Sequence, residues 1–84
     1  MLTDKQCKNA FCPQGRARTR ATDSGGLYLE VAGAGSKRWF WKYYFADKER
    51  RLAIGSYPAV PLKQARSDRD DARKVLASGS DPAK

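Results

Sequence analysis

The stretch KRWFWKYYF, from Lys37 to Phe45, decides how this chain folds, because it consists entirely of aromatic and basic residues. Alternate side chains of a β-strand point to opposite faces of its sheet. One face of such a strand would carry four rings: Trp39, Trp41, Tyr43 and Phe45. The other face would carry a mixture of cations and rings: Arg38, Phe40, Lys42 and Tyr44. The first set is typical of a core, and the second is typical of a surface that binds a partner.

The flanking segments predict two further strands that pair with this one. LYLEVA (residues 27–32) alternates apolar and polar side chains, and RLAIG (residues 51–55) places Leu52 and Ile54 inward. Turn residues separate the strands at positions 23–26, 33–36 and 46–50. We therefore predict an α+β fold with a three-stranded antiparallel sheet. The segment RARTRAT (residues 16–22) allows an extra N-terminal edge strand.

Two helices are expected around the sheet. A short N-terminal helix begins after Thr3, with Gln6 in the capping-box position. A longer helix follows from Leu62 to Gly79, and its apolar stripe would pack against the face of the sheet that carries the tryptophans. The opposite side of this helix is expected to be a solvated, charged face that carries Asp68, Arg69, Asp70, Asp71, Arg73 and Lys74.

The net positive charge of the chain indicates the class of partner that it binds. The chain has 84 residues, enough for one small domain, with 17 basic and 9 acidic side chains and a pI near 9.9. A basic excess of this size on a small domain suggests a polyanionic partner. Residues 1–60 carry a net charge of +6 and residues 61–84 only +2, so the binding surface is expected in the first two thirds.

Several classes of function lack support in the sequence. Cys7 and Cys12 cannot complete a four-ligand zinc site without histidine, so no metal and no cofactor are expected. We expect both thiols to be reduced in a cytoplasmic protein, because a disulfide across so short a gap would stabilise little. The chain has no constellation of catalytic groups, so no catalytic residues are assigned and this segment is not expected to be an enzyme. It also has no apolar run long enough to span a membrane.

The cationic and aromatic face predicts binding of double-stranded DNA, with the sheet in the major groove. The candidate DNA-binding residues are Tyr28, Lys37, Arg38, Phe40, Lys42, Tyr44, Lys48, Arg50 and Arg51, together with Arg16, Arg18 and Arg20. Cations would contact phosphates, tyrosine hydroxyls would donate to phosphate oxygens, and Phe40 would contact a thymine methyl. Two alternatives use the same face: a protein-interaction or dimerisation surface, and a platform on which single-stranded bases stack.

Four segments in this order resemble the N-terminal arm-type DNA-binding domain of phage and genomic-island tyrosine recombinases, the integrases. They are DSGGLYLEV, SKRWFWKYYF, RLAIGSYPAVPLKQAR and DDAR. The resemblance implies a three-stranded sheet with a further N-terminal strand and a packed C-terminal helix. It also implies binding to arm-type sites beside the recombination core, in prophage or genomic-island integration.

The same resemblance implies how a longer protein would be organised. Residues 1–79 would form the arm-type domain, and residues 80–84 would begin a linker to core-binding and catalytic domains. Double-stranded DNA, other integrase domains and other protomers would be the partners, with no membrane and no small-molecule substrate. The protein would act in the bacterial cytoplasm, associated with the nucleoid, and strand cleavage would lie outside this segment.

Overall fold

The computed structural model describes residues 1–83, which form a sheet with one helix before it and one after it. The elements in chain order are α1 (Asp4–Asn9), β1 (Arg18–Thr22), β2 (Leu27–Ala32), β3 (Lys37–Phe45), β4 (Lys48–Tyr57) and α2 (Leu62–Ala77). The α+β prediction is confirmed.

The four strands form one antiparallel sheet in the order β1-β2-β3-β4. Each strand pairs with the next in the chain, so the predicted antiparallel sheet is confirmed. The additional N-terminal strand is present as the edge strand β1, which makes the sheet four-stranded rather than three-stranded. In the register of β2 and β3, Leu29 lies opposite Trp39 and Tyr28 lies opposite Phe40. This register separates the apolar face from the mixed face across neighbouring strands.

The hairpin between β3 and β4 is tighter than predicted. Only Ala46 and Asp47 separate the strands, and both have positive φ, at 52° and 62°. Two left-handed residues in succession are the geometry of a type I′ turn, which matches the twist of the flanking strands. Pairing therefore starts at Phe45 and Lys48, and the predicted turn over residues 46–50 is wrong. The last strand begins three residues earlier than the sequence indicated and extends two residues further, to Tyr57.

The core lies between the sheet and α2. Trp39, Trp41 and Tyr43 are all buried on this side, as the alternation in β3 predicts. Both indoles also have hydrogen-bond partners: Trp39 Nε1 donates to the carbonyl of Val60 at 2.7 Å, and Trp41 Nε1 donates to the carbonyl of Gly25 at 2.8 Å. A buried indole N–H without a partner would be costly. These bonds fix the loops before α2 and before β2 against the strand.

Helix α1 begins as its capping residues predict. The backbone N–H of Gln6 donates to Thr3 Oγ1 at 3.2 Å, and the N–H of Thr3 donates to Gln6 Oε1 at 3.0 Å. These reciprocal bonds satisfy two backbone donors at the start of the helix. Cys7 is fully buried in the core, and its burial raises the pKa of the thiol. The thiols of Cys7 and Cys12 are free.

Helix α2 packs on the sheet through Leu62, Ala65 and Ala72, as its apolar stripe predicts. It ends at Ala77, two residues before the predicted end. One prediction for this helix is wrong, since Arg69 is buried rather than solvated, with only 8% of its surface exposed. Its Nη1 donates to the carbonyl of Ser24 at 2.7 Å, so the guanidinium is paired with the turn between β1 and β2.

Candidate nucleic-acid interface

The side of the sheet opposite α2 carries most of the predicted binding residues, and we call it the outer face. Its cations are exposed, and they come from all strands except β2. The charged and aromatic residues of the outer face are Arg18, Arg20, Tyr28, Glu30, Arg38, Phe40, Lys42, Tyr44, Glu49 and Arg51. Five of these residues are basic and two are acidic, which leaves a net charge of +3. The strand alternation thus sorts the rings of the core from a cationic surface.

Two rings form the floor of the outer face. Tyr28 and Phe40 are stacked with their centroids 5.7 Å apart. Phe40 was expected as a projecting ring, but it is 7% exposed, because the guanidinium of Arg51 lies 4.2 Å from its centroid. Arg20 covers Tyr28 in the same way, at 4.9 Å. Cations over ring faces are attracted by the ring quadrupole, so this contact holds both arginines close to the sheet.

Glu30 lies among the arginines, in the central strand β2. Its carboxylate is 3.4 Å from Arg51, 3.7 Å from Arg18 and 3.8 Å from Arg20, and its side chain is 10% exposed. Glu30 was not among the binding residues predicted from the sequence. One signal could have identified it: a lone acid is surrounded by basic residues on the neighbouring strands. The carboxylate links arginines that come from the two edge strands.

The far end of the outer face carries Lys42 and Tyr44. The Lys42 ammonium donates a hydrogen bond to the Glu49 carboxylate across the hairpin, and this bond raises the lysine pKa. Tyr44 is 63% exposed and presents its ring and hydroxyl to solvent. Exposed ion pairs of this kind contribute little to stability, so Lys42 can exchange its partner at small cost.

Four of the predicted binding residues lie elsewhere. The Lys37 ammonium donates to the carbonyls of Cys7 at 2.9 Å and Lys8 at 2.8 Å, at the C-terminal end of α1. The register of β4 places Lys48 and Arg50 on the side that faces α2, and Arg16 precedes β1. The structure therefore brings together Arg18, Arg20, Tyr28, Arg38, Phe40, Lys42, Tyr44 and Arg51, and it separates Lys37, Lys48, Arg50 and Arg16 from them.

Two further properties concern the part of the chain that the structure describes. Across residues 1–83, no three His, Cys, Asp or Glu side chains form a group that could hold a metal ion. Neither α1 nor α2 is long and apolar enough to cross a membrane.

A small antiparallel sheet with one face covered by a helix and the other cationic is typical of modules that bind nucleic acid through strands. The sequence profile of the arm DNA-binding domain family matches residues 2–84 of this chain. The chain therefore belongs to the arm DNA-binding domain family, and the resemblance seen in the sequence is confirmed.

The relatives of this chain are integrases. The integrase of Enterobacteria phage P4 is 52% identical over 65 residues, which is 75% of this chain and 15% of that protein. The integrase of Shigella phage Sf6 and the prophage integrase IntS of Escherichia coli K12 are each 40% identical over the whole chain, which covers 21% of either relative. This chain thus spans about a fifth or less of the length of these relatives.

Proposed function

We propose that this chain binds double-stranded DNA through its outer face, as the arm-type module of an integrase that carries out site-specific integration and recombination. The observation that supports this most is the net charge of +3 on a sheet face that no helix covers. Clustered cations neutralise phosphates and release their counterions, which drives DNA binding. Membership of the arm DNA-binding family and the integrase relatives support the same function.

The proposed docking places the outer face in the major groove of an arm-type site. That groove is about 12 Å wide and admits a β-ribbon or a helix. Arg38 and Lys42 are exposed on β3 and would contact phosphates. The exposed hydroxyl of Tyr44 would donate to a phosphate oxygen.

The rest of the activity would belong to the remainder of a longer protein. The integrase relatives are about five times longer than the matched segment, on the basis of the 21% coverage. Residues 80–84 would begin the linker to core-binding and catalytic domains, where a tyrosine would cleave and rejoin DNA. Other integrase domains and protomers would be partners, and the protein would act in the bacterial cytoplasm on nucleoid DNA.

The test is a titration of labelled duplex carrying an arm-type repeat, at several salt concentrations. We expect affinity to fall steeply with salt, and each of Arg38→Ala and Lys42→Ala to weaken binding by roughly 1 kcal/mol or more. Lys63→Ala and Lys74→Ala are matched controls, because these exposed lysines lie on α2. Affinity that is independent of salt, or that responds to the α2 variants instead, would contradict the proposal.

The two alternative functions both need an open aromatic surface on the outer face. Phe40 is covered by Arg51, so Tyr44 is the ring of β3 that this face exposes. This arrangement favours duplex binding over base stacking or protein association. Competition between single-stranded and duplex DNA, and size-exclusion chromatography of Tyr44→Ala, distinguish the three functions.

A further inference from the structure

Two arginines on the outer face come from opposite edges of the sheet and converge at its middle. Arg20 belongs to β1 and Arg51 to β4, which are the two edge strands. Their guanidiniums lie over Tyr28 of β2 and Phe40 of β3, at 4.9 and 4.2 Å from the ring centroids. Both side chains therefore lean inward over the central strands. When a sheet enters a groove, its centre faces the base edges and its margins face the phosphates.

The contacts that hold each guanidinium over the sheet use some of its N–H donors. Arg51 uses Nη1 for both of its hydrogen bonds within residues 1–83, to the Tyr28 hydroxyl and to Glu30 Oε1, each at 3.4 Å. Arg20 approaches the same carboxylate oxygen through Nε, at 3.8 Å. The Nε–Nη2 edge of Arg51 and the Nη pair of Arg20 remain for a ligand. Both are two-donor edges, and a two-donor edge of arginine matches O6 and N7 of guanine.

The surroundings of the two arginines leave room for a ligand. The side chains of Arg20 and Arg51 are 57% and 45% exposed, although each guanidinium lies over a buried ring. A hollow of about 320 Å³ is lined by five outer-face residues, Arg20, Tyr28, Lys42, Glu49 and Arg51, and by Arg50, whose guanidinium pairs with Asp81 on the other side of the sheet. A second hollow, of about 270 Å³, also has Arg51 in its wall, together with Glu30 and Phe40. Arg51 thus stands between two spaces that a base edge could enter.

We propose that Arg20 and Arg51 are specificity-determining residues that each read a guanine in the major groove, and that Glu30 is the residue that positions them. This inference rests on the proposed duplex binding and adds the base that is recognised. Planar guanidiniums held over rings and beside a shared carboxylate lose little freedom on binding. Arg38 and Lys42 are exposed on β3 and suit contacts with phosphates.

Selection from a pool of randomised duplexes tests the inference without knowledge of the natural site. With the 84-residue chain, we expect enrichment of duplexes that contain guanine at two defined positions. Arg20→Lys and Arg51→Lys, which keep the charge but lose the two-donor edge, should each abolish the preference at one position. On the selected duplex each should lower affinity roughly tenfold, and on a scrambled duplex by less than about twofold. Replacing the selected guanines with 7-deazaguanine, which lacks N7, should reduce the affinity of the unmodified protein and have no further effect on the variants.

The Glu30→Gln variant tests whether Glu30 positions the two arginines or affects DNA affinity only through its charge. Removal of this carboxylate makes the outer face more positive, so affinity for the scrambled duplex should rise. Affinity for the selected duplex should fall several-fold, because the arginines lose the group that fixes them. Glu49→Gln is the matched control: it removes an acid from the same face but contacts Lys42, so both affinities should rise together.

The possible failures have different meanings. Duplex binding without any guanine preference would overturn this inference and leave the proposed function intact. Equal losses of the lysine variants on selected and scrambled duplexes would mean that the arginines contact phosphates, which also overturns it. Absence of salt-dependent duplex binding would overturn the proposed function itself. If Glu30→Gln fails to fold by circular dichroism, the lysine variants and 7-deazaguanine still decide between guanine reading and phosphate contact.

Discussion

The phenol of Tyr43 donates a 2.6 Å hydrogen bond to Asp81 and so fastens the chain beyond α2 to strand β3. Tyr43 is 3% exposed, and its burial together with the hydrogen bond to Asp81 raises the pKa of the phenol. The same carboxylate lies 3.4 Å from Arg50. Where the sequence predicts the start of a linker, a buried aspartate is therefore packed against the sheet.

Tyr43→Phe removes the hydrogen bond and leaves the ring in place. We expect the free energy of unfolding to fall by about 1 to 2 kcal/mol, because the buried Asp81 loses one donor. Urea denaturation measures the change. Tyr44→Phe is the matched control in the next position, where the exposed ring predicts a change within about 0.5 kcal/mol. Equal losses in the two variants would show that the bond to Asp81 does not stabilise the fold.

The lowered pKa of Asp23 predicts how the stability of the fold depends on pH. Its carboxylate accepts two bonds from Arg66, at 2.9 and 3.0 Å, and one from the N–H of Leu2 at 2.8 Å. The hydrogen bonds from Arg66 are the main reason why the pKa of Asp23 is lowered to about 2. A lowered pKa in the folded state stabilises the fold above the unfolded value of about 4, and this contribution is lost as the pH falls towards 2.

Asp23→Asn should therefore remove one component of acid sensitivity. We expect the difference in unfolding free energy between the original protein and the variant to shrink by roughly 1 to 2 kcal/mol from pH 5 to pH 2, after allowing for solvent screening near Arg66. Denaturant titrations at a series of pH values measure it. Asp71→Asn, on the exposed side of α2, should leave the pH dependence nearly unchanged. A constant difference across this range would refute the assignment.

Gly55 lies in β4 under Val60, where a Cβ atom would come 2.5 Å from Val60 Cγ2. Gly55→Ala should destabilise the fold by about 1 to 3 kcal/mol, because a packed side chain has to move. Val60→Ala removes the obstructing methyl groups, so the double variant should lose less stability than the sum of the single variants. A double-mutant cycle by thermal or urea unfolding measures this coupling. Strict additivity would mean that the backbone relaxes without involving Val60.

Arg69 is a charged residue of α2 whose truncation should be costly, because it is buried. Arg69→Ala removes the shorter of two hydrogen bonds to the carbonyl of Ser24, which keeps the Leu27 N–H at 3.3 Å, and removes a cation 3.6 Å from the buried Asp23. We expect a loss of about 2 to 3 kcal/mol, measured by urea denaturation. Lys74→Ala on the exposed side of the same helix should change stability by less than about 0.5 kcal/mol. If the two variants lose similar amounts of stability, the contacts of the buried guanidinium do not stabilise the fold.

The sequence by itself determined the alternation of the strands and hence which face of β3 is apolar. Trp39 and Trp41 had to share a side because every second side chain of a strand does. The capping box of Thr3 and Gln6 is equally local, since both partners lie within one helical turn. The basic excess of residues 1–60 also indicated a polyanionic partner before any contact was known.

Only the tertiary structure decided which charges are available for a partner. Lys37, Arg50 and Arg69 look alike in the sequence, yet each is engaged by groups distant along the chain: the end of α1, Asp81 and Ser24. Glu30 likewise gained its role because packing brings Arg20 and Arg51 to it from the two edges of the sheet. The physical reason is that the energy of a charge depends on its neighbours and its burial, which are set by contacts far apart in sequence.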